Sequence, residues 1–182
     1  MAWRKPYPSL GRAKMKWLLV LGIFTHSCAQ ASQPSTAAII SCISDYSISP
    51  EVSLHAFPSE FSRMENYKFG YKTSYYFIFH NKIIGYAEKK SNYGIIFDEK
   101  IYPINSAKRL LGTRFQPTNF NPFAAQWSTV IDKTGQYLCI SFPFGALGLN
   151  GSFQKTRGAY LLHTKGRSKT LFFAVANIDL HK

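Results

Sequence analysis

The amino-acid sequence predicts a mainly β fold: a single-domain antiparallel sandwich or barrel with one or two short helices and one disulfide. Three observations predict it. Tyr, Phe, Ile and Val are gathered in short runs that suit a pleated, half-buried surface. Gly, Pro, Asn and Asp interrupt those runs at hairpin spacing. Of three cysteines, Cys42 and Cys139 lie in apolar, β-rich sequence, whereas Cys28 falls in an N-terminal segment with a different character.

That segment comes first in chain order. The apolar run from Trp17 to Phe24 ends at Thr25 and His26, well short of the ~20 apolar residues that cross a bilayer. Arg4, Lys5, Arg12, Lys14 and Lys16 precede it with no acid among them, and Ala29-Gln30-Ala31 follows as a small-residue cleavage site. Residues 1–31 therefore read as a cleaved secretory signal, with translation starting at Met15 as a more compact variant. Ser27-Cys28 offers a lipoprotein site, which His26 and Thr25 fit poorly, so it ranks second. Cleavage at Ala31 leaves 151 residues, one domain with a core. It also leaves 17 basic against nine acidic residues, a mature charge of +8, compared with +13 for the whole chain.

Ser32 to Ala38 is small and polar and reads as a flexible leader into the β-rich domain 39–182, whose first expected strand is Ala38 to Ile43. Runs from Tyr67 to Lys90 are broken by Gly70, by His80-Asn81-Lys82 and by a turn over Lys89 to Asn92, which predicts meandering hairpins. Asp98-Glu99 is expected to turn the next pair tightly, and Pro103 confines the strand after it to an edge or an end. Asn105 or Ser106 caps an expected short helix that Gly112 stops. Pro117 and Pro122 make the stretch to Gln126 a loop, with room for one helical turn over Phe123 to Ser128. Strands resume at Trp127 to Ile131, turn at Asp132 to Gly135, continue through Phe142, and return after a Gly-rich connection at Gly158 to Thr164 and Lys169 to Ile178. Eight or nine strands result.

In an oxidising compartment Cys42 and Cys139 are expected to pair. Their wide spacing, without neighbouring histidines, argues against a metal site, and no cofactor is implied. The glycines of Gly145 to Gly151 lack the Lys-Ser/Thr and following helix of a phosphate loop. Asn150-Gly151-Ser152 matches an N-glycosylation acceptor. His55, His80 and His163 stand singly; a secreted hydrolase with a His-based site would have to assemble one of them with a carboxylate and a hydroxyl in space. No nucleophile-elbow motif accompanies them. Asp98-Glu99, the adjacent acid pair, suits a solvent-facing turn better than a glycosidase cleft.

Twenty-five aromatic residues follow the signal; most are expected in the core, with those of the Pro/Phe loop the best contact candidates. The function expected is non-catalytic binding by an exported protein, periplasmic or secreted, towards an anionic envelope or extracellular polymer, glycan or protein surface. Export argues against nucleic acid, and the mature chain has no expected membrane span. The expected contact residues are Phe120, Phe123 and Trp127 from the loop and Lys165, Arg167 and Lys169 from a basic cluster.

Tyr160 to Gly166, a Tyr followed after three residues by Thr-Lys-Gly, resembles a pattern in periplasmic inhibitors of C-type lysozyme, which are small disulfide-bonded β-barrels. The resemblance covers seven residues. That family's upstream Ser-Gly motif ending in Tyr is replaced here by Gly151-Ser152, and a cationic lysozyme is complemented by acidic charge rather than by +8. The resemblance implies lysozyme inhibition as an alternative function.

Overall fold

The computed structural model describes residues 32–57, 61–66, 70–90, 92–110, 114–144, 156–165 and 169–178. The expected signal, the Gly-rich connection, Gly112 and Arg167 lie outside the described residues. The fold is mainly β, with one α-helix and eleven strands in two sheets among the described residues.

The strands are β1 (Ser53–Ala56), β2 (Arg63–Asn66), β3 (Thr73–Phe79), β4 (Lys82–Lys89), β5 (Asn92–Phe97), β6 (Lys100–Pro103), β7 (Lys108–Arg109), β8 (Gln126–Asp132), β9 (Gly135–Pro143), β10 (Thr156–His163) and β11 (Leu171–Asn177). β2 to β6 form an antiparallel five-stranded meander in chain order. The six-stranded sheet runs β1-β8-β9-β10-β11-β7, antiparallel except where β7 joins β11.

Turn chemistry sets the meander. His80 and Asn81, then Asp98 and Glu99, take up positive φ (45° and 60°, 55° and 63°), the pair of left-handed residues that lets a two-residue loop follow the strands' own twist. Pro103 ends β6 at the sheet edge, where its missing N–H breaks no ladder.

Two cores follow from the alternation of side chains. Phe77, Ile84, Tyr86, Ile95 and Phe97 of the meander face Trp127, Leu138, Ile140, Phe142, Tyr160, Leu162, Leu171 and Phe173 of the larger sheet. The opposite face of the larger sheet presents Val130, Tyr137, Cys139, Leu161, Phe172 and Ala174 to α1 (Thr36–Ser44). The larger sheet is therefore the middle of three layers, and Leu138 to Phe142 is buried without interruption.

The helix corrects the strand expected over Ala38 to Ile43. Ser35 Oγ accepts the Ala38 N–H at 3.1 Å, a cap for an otherwise unpaired donor. Ala38, Ile39, Cys42 and Ile43 are all buried; that i, i+1, i+4, i+5 spacing fits one helical face. Burial against the sheet outweighs the modest helix cost of β-branched side chains. Ser32 to Ala38, expected as a leader, thus includes the cap and first turn. Cys42 bonds Cys139 with 5.7 Å between Cα atoms, joining α1 to the middle of β9 as the sequence predicted. The expected helix after Asn105 is also corrected: a 3-10 helix occupies Ile104–Ser106 and β7 follows directly. Leu110 N–H donates to the Phe173 carbonyl at 2.7 Å, so pairing with β11 takes the backbone groups a helix would have used.

No described helix is long and apolar enough to cross a membrane.

Candidate functional site

At the end of the inter-sheet core where β8 and β9 are joined, the layers part into a slot of about 180 Å³. Its apolar wall is Phe57, Phe79, Ile84, Phe97 and Leu138, placed there by the same alternation that fills the core. Thr129, Gln136, Thr164 and the imidazole of His80 supply polar groups. Thr164 donates through both N–H and hydroxyl to the Gln136 carbonyl, each at 2.9 Å, which fixes Thr164 and the neighbouring Lys165 at the slot.

Lysines from three elements converge here. Lys82 opens β4 and faces inward opposite Phe79; Lys165 follows β10 and is exposed, and both line the slot. Lys169 precedes β11, and its ammonium lies 4.6 Å from the centre of the Phe97 ring, with that of Lys82 at 5.0 Å. Two cations thus share the ring's electron-rich neighbourhood, each attraction being worth roughly 0.5–1 kcal/mol at exposed sites. Lys169 also pairs with Asp98 at 3.7 Å, linking the two sheets. Among the described residues neither Lys82 nor Lys165 has an ion-pair partner. The local balance of these groups is three cations to one anion, over an apolar floor.

No family model, curated protein or solved structure matches the chain. Function must therefore be argued from the side chains themselves.

The structure separates the two halves of the contact surface expected from sequence. Lys165 lines the slot, Lys169 lies over Phe97 of its wall, and Arg167 lies outside the described residues. Phe120 and Trp127 are core residues, 8% and 3% exposed. Phe120 stacks on Phe142 at 5.0 Å and meets Tyr86 at 5.0 Å, so the Pro/Phe loop plugs the core with this ring. Two hydrogen bonds fasten the loop: Trp127 Nε1 to the Pro122 carbonyl at 3.3 Å, and the Tyr160 hydroxyl to the Thr118 carbonyl at 2.6 Å. Burial pushes the Tyr160 phenol well above its ordinary pKa, keeping it a donor. Phe123 is 64% exposed, edge-on to Phe61 and Tyr75, and Phe120, though mostly buried, lines a cavity of about 340 Å³ with Thr118, Asn119, Asn121, Phe142 and Phe144. A single helical turn over Phe123 to Ser128 does not form, because β8 begins at Gln126.

The remaining candidates are placed as follows. His55 is exposed on β1, and His80 sits in the β3–β4 turn against Phe79 at 4.2 Å. His163 ends β10, 5.2 Å from the Tyr137 ring, with a buried and unpartnered Nδ1. Among the described residues none of the three hydrogen-bonds a carboxylate. Asp98 and Glu99 occupy a tight turn. In the fragment resembling lysozyme inhibitors, Tyr160 is fully buried, His163 and Thr164 are half-buried, and Lys165 is exposed. Lys82 and Phe97 are the site residues that sequence reasoning missed. The two-residue turn at His80-Asn81 puts Lys82 on the face of Phe77 and Phe79, and that parity was the available signal.

Proposed function

We propose that the chain is an exported, non-catalytic binding protein that holds an anionic partner at the lysine-rimmed slot. The observation that carries this reading is that Lys82 and Lys165 line one opening without an ion-pair partner among the described residues, while Lys169 lies over Phe97 of the same wall and is paired with Asp98. Cations left without anions at an apolar rim create a field that draws a negative ligand and steers its approach. The signal-like residues 1–31 and the Cys42–Cys139 disulfide support export, since disulfides persist in oxidising compartments.

Dextran sulfate and uncharged dextran make a direct test. The polyanion is expected to bind with an affinity that falls steeply as salt rises, through screening, and the neutral polymer not to bind. Lys82→Glu with Lys165→Glu should weaken polyanion binding at least tenfold, while Lys89→Glu and Lys90→Glu at the far end of the β4–β5 hairpin should change it less than twofold. Equal loss from both pairs would show diffuse charge rather than a site and overturn the assignment.

A further inference from the structure

We infer that the slot takes a small amphiphilic monoanion: a carboxylate whose apolar end, about six heavy atoms long, enters between the sheets while its head stays among the lysines. The inference rests on the anion-binding reading and adds the identity of the ligand's other half.

The slot is not a flat basic patch. Its volume of about 180 Å³ equals roughly six waters at ~30 Å³ each, enough for a phenyl ring or a five- to six-carbon chain and too little for a sugar polymer to thread. Its depth is apolar, with Ile84 and Leu138 on facing sheets and Phe57 beside them. Water held against such a wall makes few hydrogen bonds, so an apolar group gains by displacing it. At the mouth the chemistry changes within one side chain's length. Lys82 and Lys169 lie over Phe97, one partnered by Asp98, and Lys165 is exposed beside them. A head group placed there meets Lys82 and Lys165, both without an ion-pair partner among the described residues. Thr129, one strand across from Leu138, adds a hydroxyl part-way down. Apolar depth, cationic mouth and small volume together select a short amphiphile with one negative end.

Titration calorimetry with acetate, hexanoate, benzoate, hexanol and hexylamine, using the protein recovered from the exported fraction, tests each half. Hexanoate and benzoate are expected to bind at least about tenfold tighter than acetate, because burying apolar groups is favourable, and at least tenfold tighter than hexanol or hexylamine. Lys165→Gln, at an exposed position that leaves the core intact, should weaken hexanoate several-fold. Thr129→Leu, which fills the slot, should abolish the advantage of hexanoate over acetate; if that variant does not fold, blockage of hexanoate by bound benzoate replaces it. Lys89→Gln should change nothing. Hexanoate binding no tighter than acetate, with lysine-dependent dextran sulfate binding intact, would overturn the amphiphile and leave the anion site. Loss of lysine dependence for every anion would overturn both. Capture of phosphatidylglycerol vesicles without hexanoate binding would show a surface charge effect and likewise overturn the slot.

Discussion

Asp132 shows how one side chain holds two parts of the fold. It ends β8, and its Oδ1 accepts from the N–H groups of Thr134 and Gly135 at 2.8 and 3.1 Å, shaping the turn into β9. Its Oδ2 accepts the Ser35 N–H at 3.2 Å, next to the helix start. Partial burial pushes its pKa up, but the hydrogen bonds from Ser35 and Thr134 outweigh that and hold it below the ordinary carboxylate value. A carboxyl with a depressed folded pKa contributes stability that is present above its unfolded pKa of ~4 and disappears as pH falls through the folded value. The melting temperature is therefore expected to drop as pH goes from about 5 to 2, and the drop should be smaller in Asp132→Asn, which is less stable than wild type at pH 7 and converges with it in acid. Thermal melts across that pH range measure both curves. Parallel curves would show that Asp132 does not link protonation to folding.

At the scale of elements, α1 depends on packing and on its bond to β9. A nine-residue helix is marginal in isolation, and its fixed features are the Ser35 cap, one buried face and the Cys42–Cys139 bridge across 97 residues of sequence. Closing a loop of that length is worth about 4 to 5 kcal/mol on the chain-entropy model. The Cys42→Ala, Cys139→Ala double variant is expected to lose most of that in urea denaturation, whereas a loss below about 1 kcal/mol would mean that the unfolded chain gains little freedom. The same elements show what the sequence makes legible. Hairpins at His80-Asn81 and Asp98-Glu99, the edge position of Pro103 and the pairing of the cysteines follow from local backbone chemistry, and each was readable. Ala38 to Ile43 misleads, because Ile-Ile-Ser-Cys-Ile has the composition of a strand and only its burial spacing, together with Ser35, signals a helix. β7 at Lys108–Arg109 gave no signal either, since its parallel pairing with β11 is set by a partner more than sixty residues away. The candidate site was half legible for the same reason. Lys165 and Lys169 lie close in sequence, but Lys82 and Phe97 join them only when the two sheets pack. Phe120 and Trp127 carried the aromatic signature of a contact loop, yet Phe120 turns its ring into the core and Trp127 belongs to the buried face of β8.

At the scale of the whole molecule, the layers enclose the disulfide. Among the described residues, the middle sheet is covered by α1 on one side and the meander on the other, and the covalent link ties the outer helix to the middle sheet through their shared core, where Cys42 and Cys139 are both 0% exposed. Such a bond survives where the surroundings are oxidising. Ser32, the expected first residue after processing, donates from its hydroxyl to the Thr134 carbonyl, and its own carbonyl accepts from the Tyr137 hydroxyl at 3.1 Å. A chain cut after Ala31 would thus begin at a residue tied to the β8–β9 turn. Intact mass of protein recovered from the exported fraction, measured with and without reduction before alkylation, is expected to give a chain starting near Ser32 in which two thiols become reactive only after reduction. That result directs the partner search to short anionic amphiphiles and anionic polymers outside the cytoplasm. An uncut chain with free thiols would reverse the setting: the +13 charge of the whole sequence would then face intracellular polyanions, and nucleic acid would become the first ligand to test against the same three lysines.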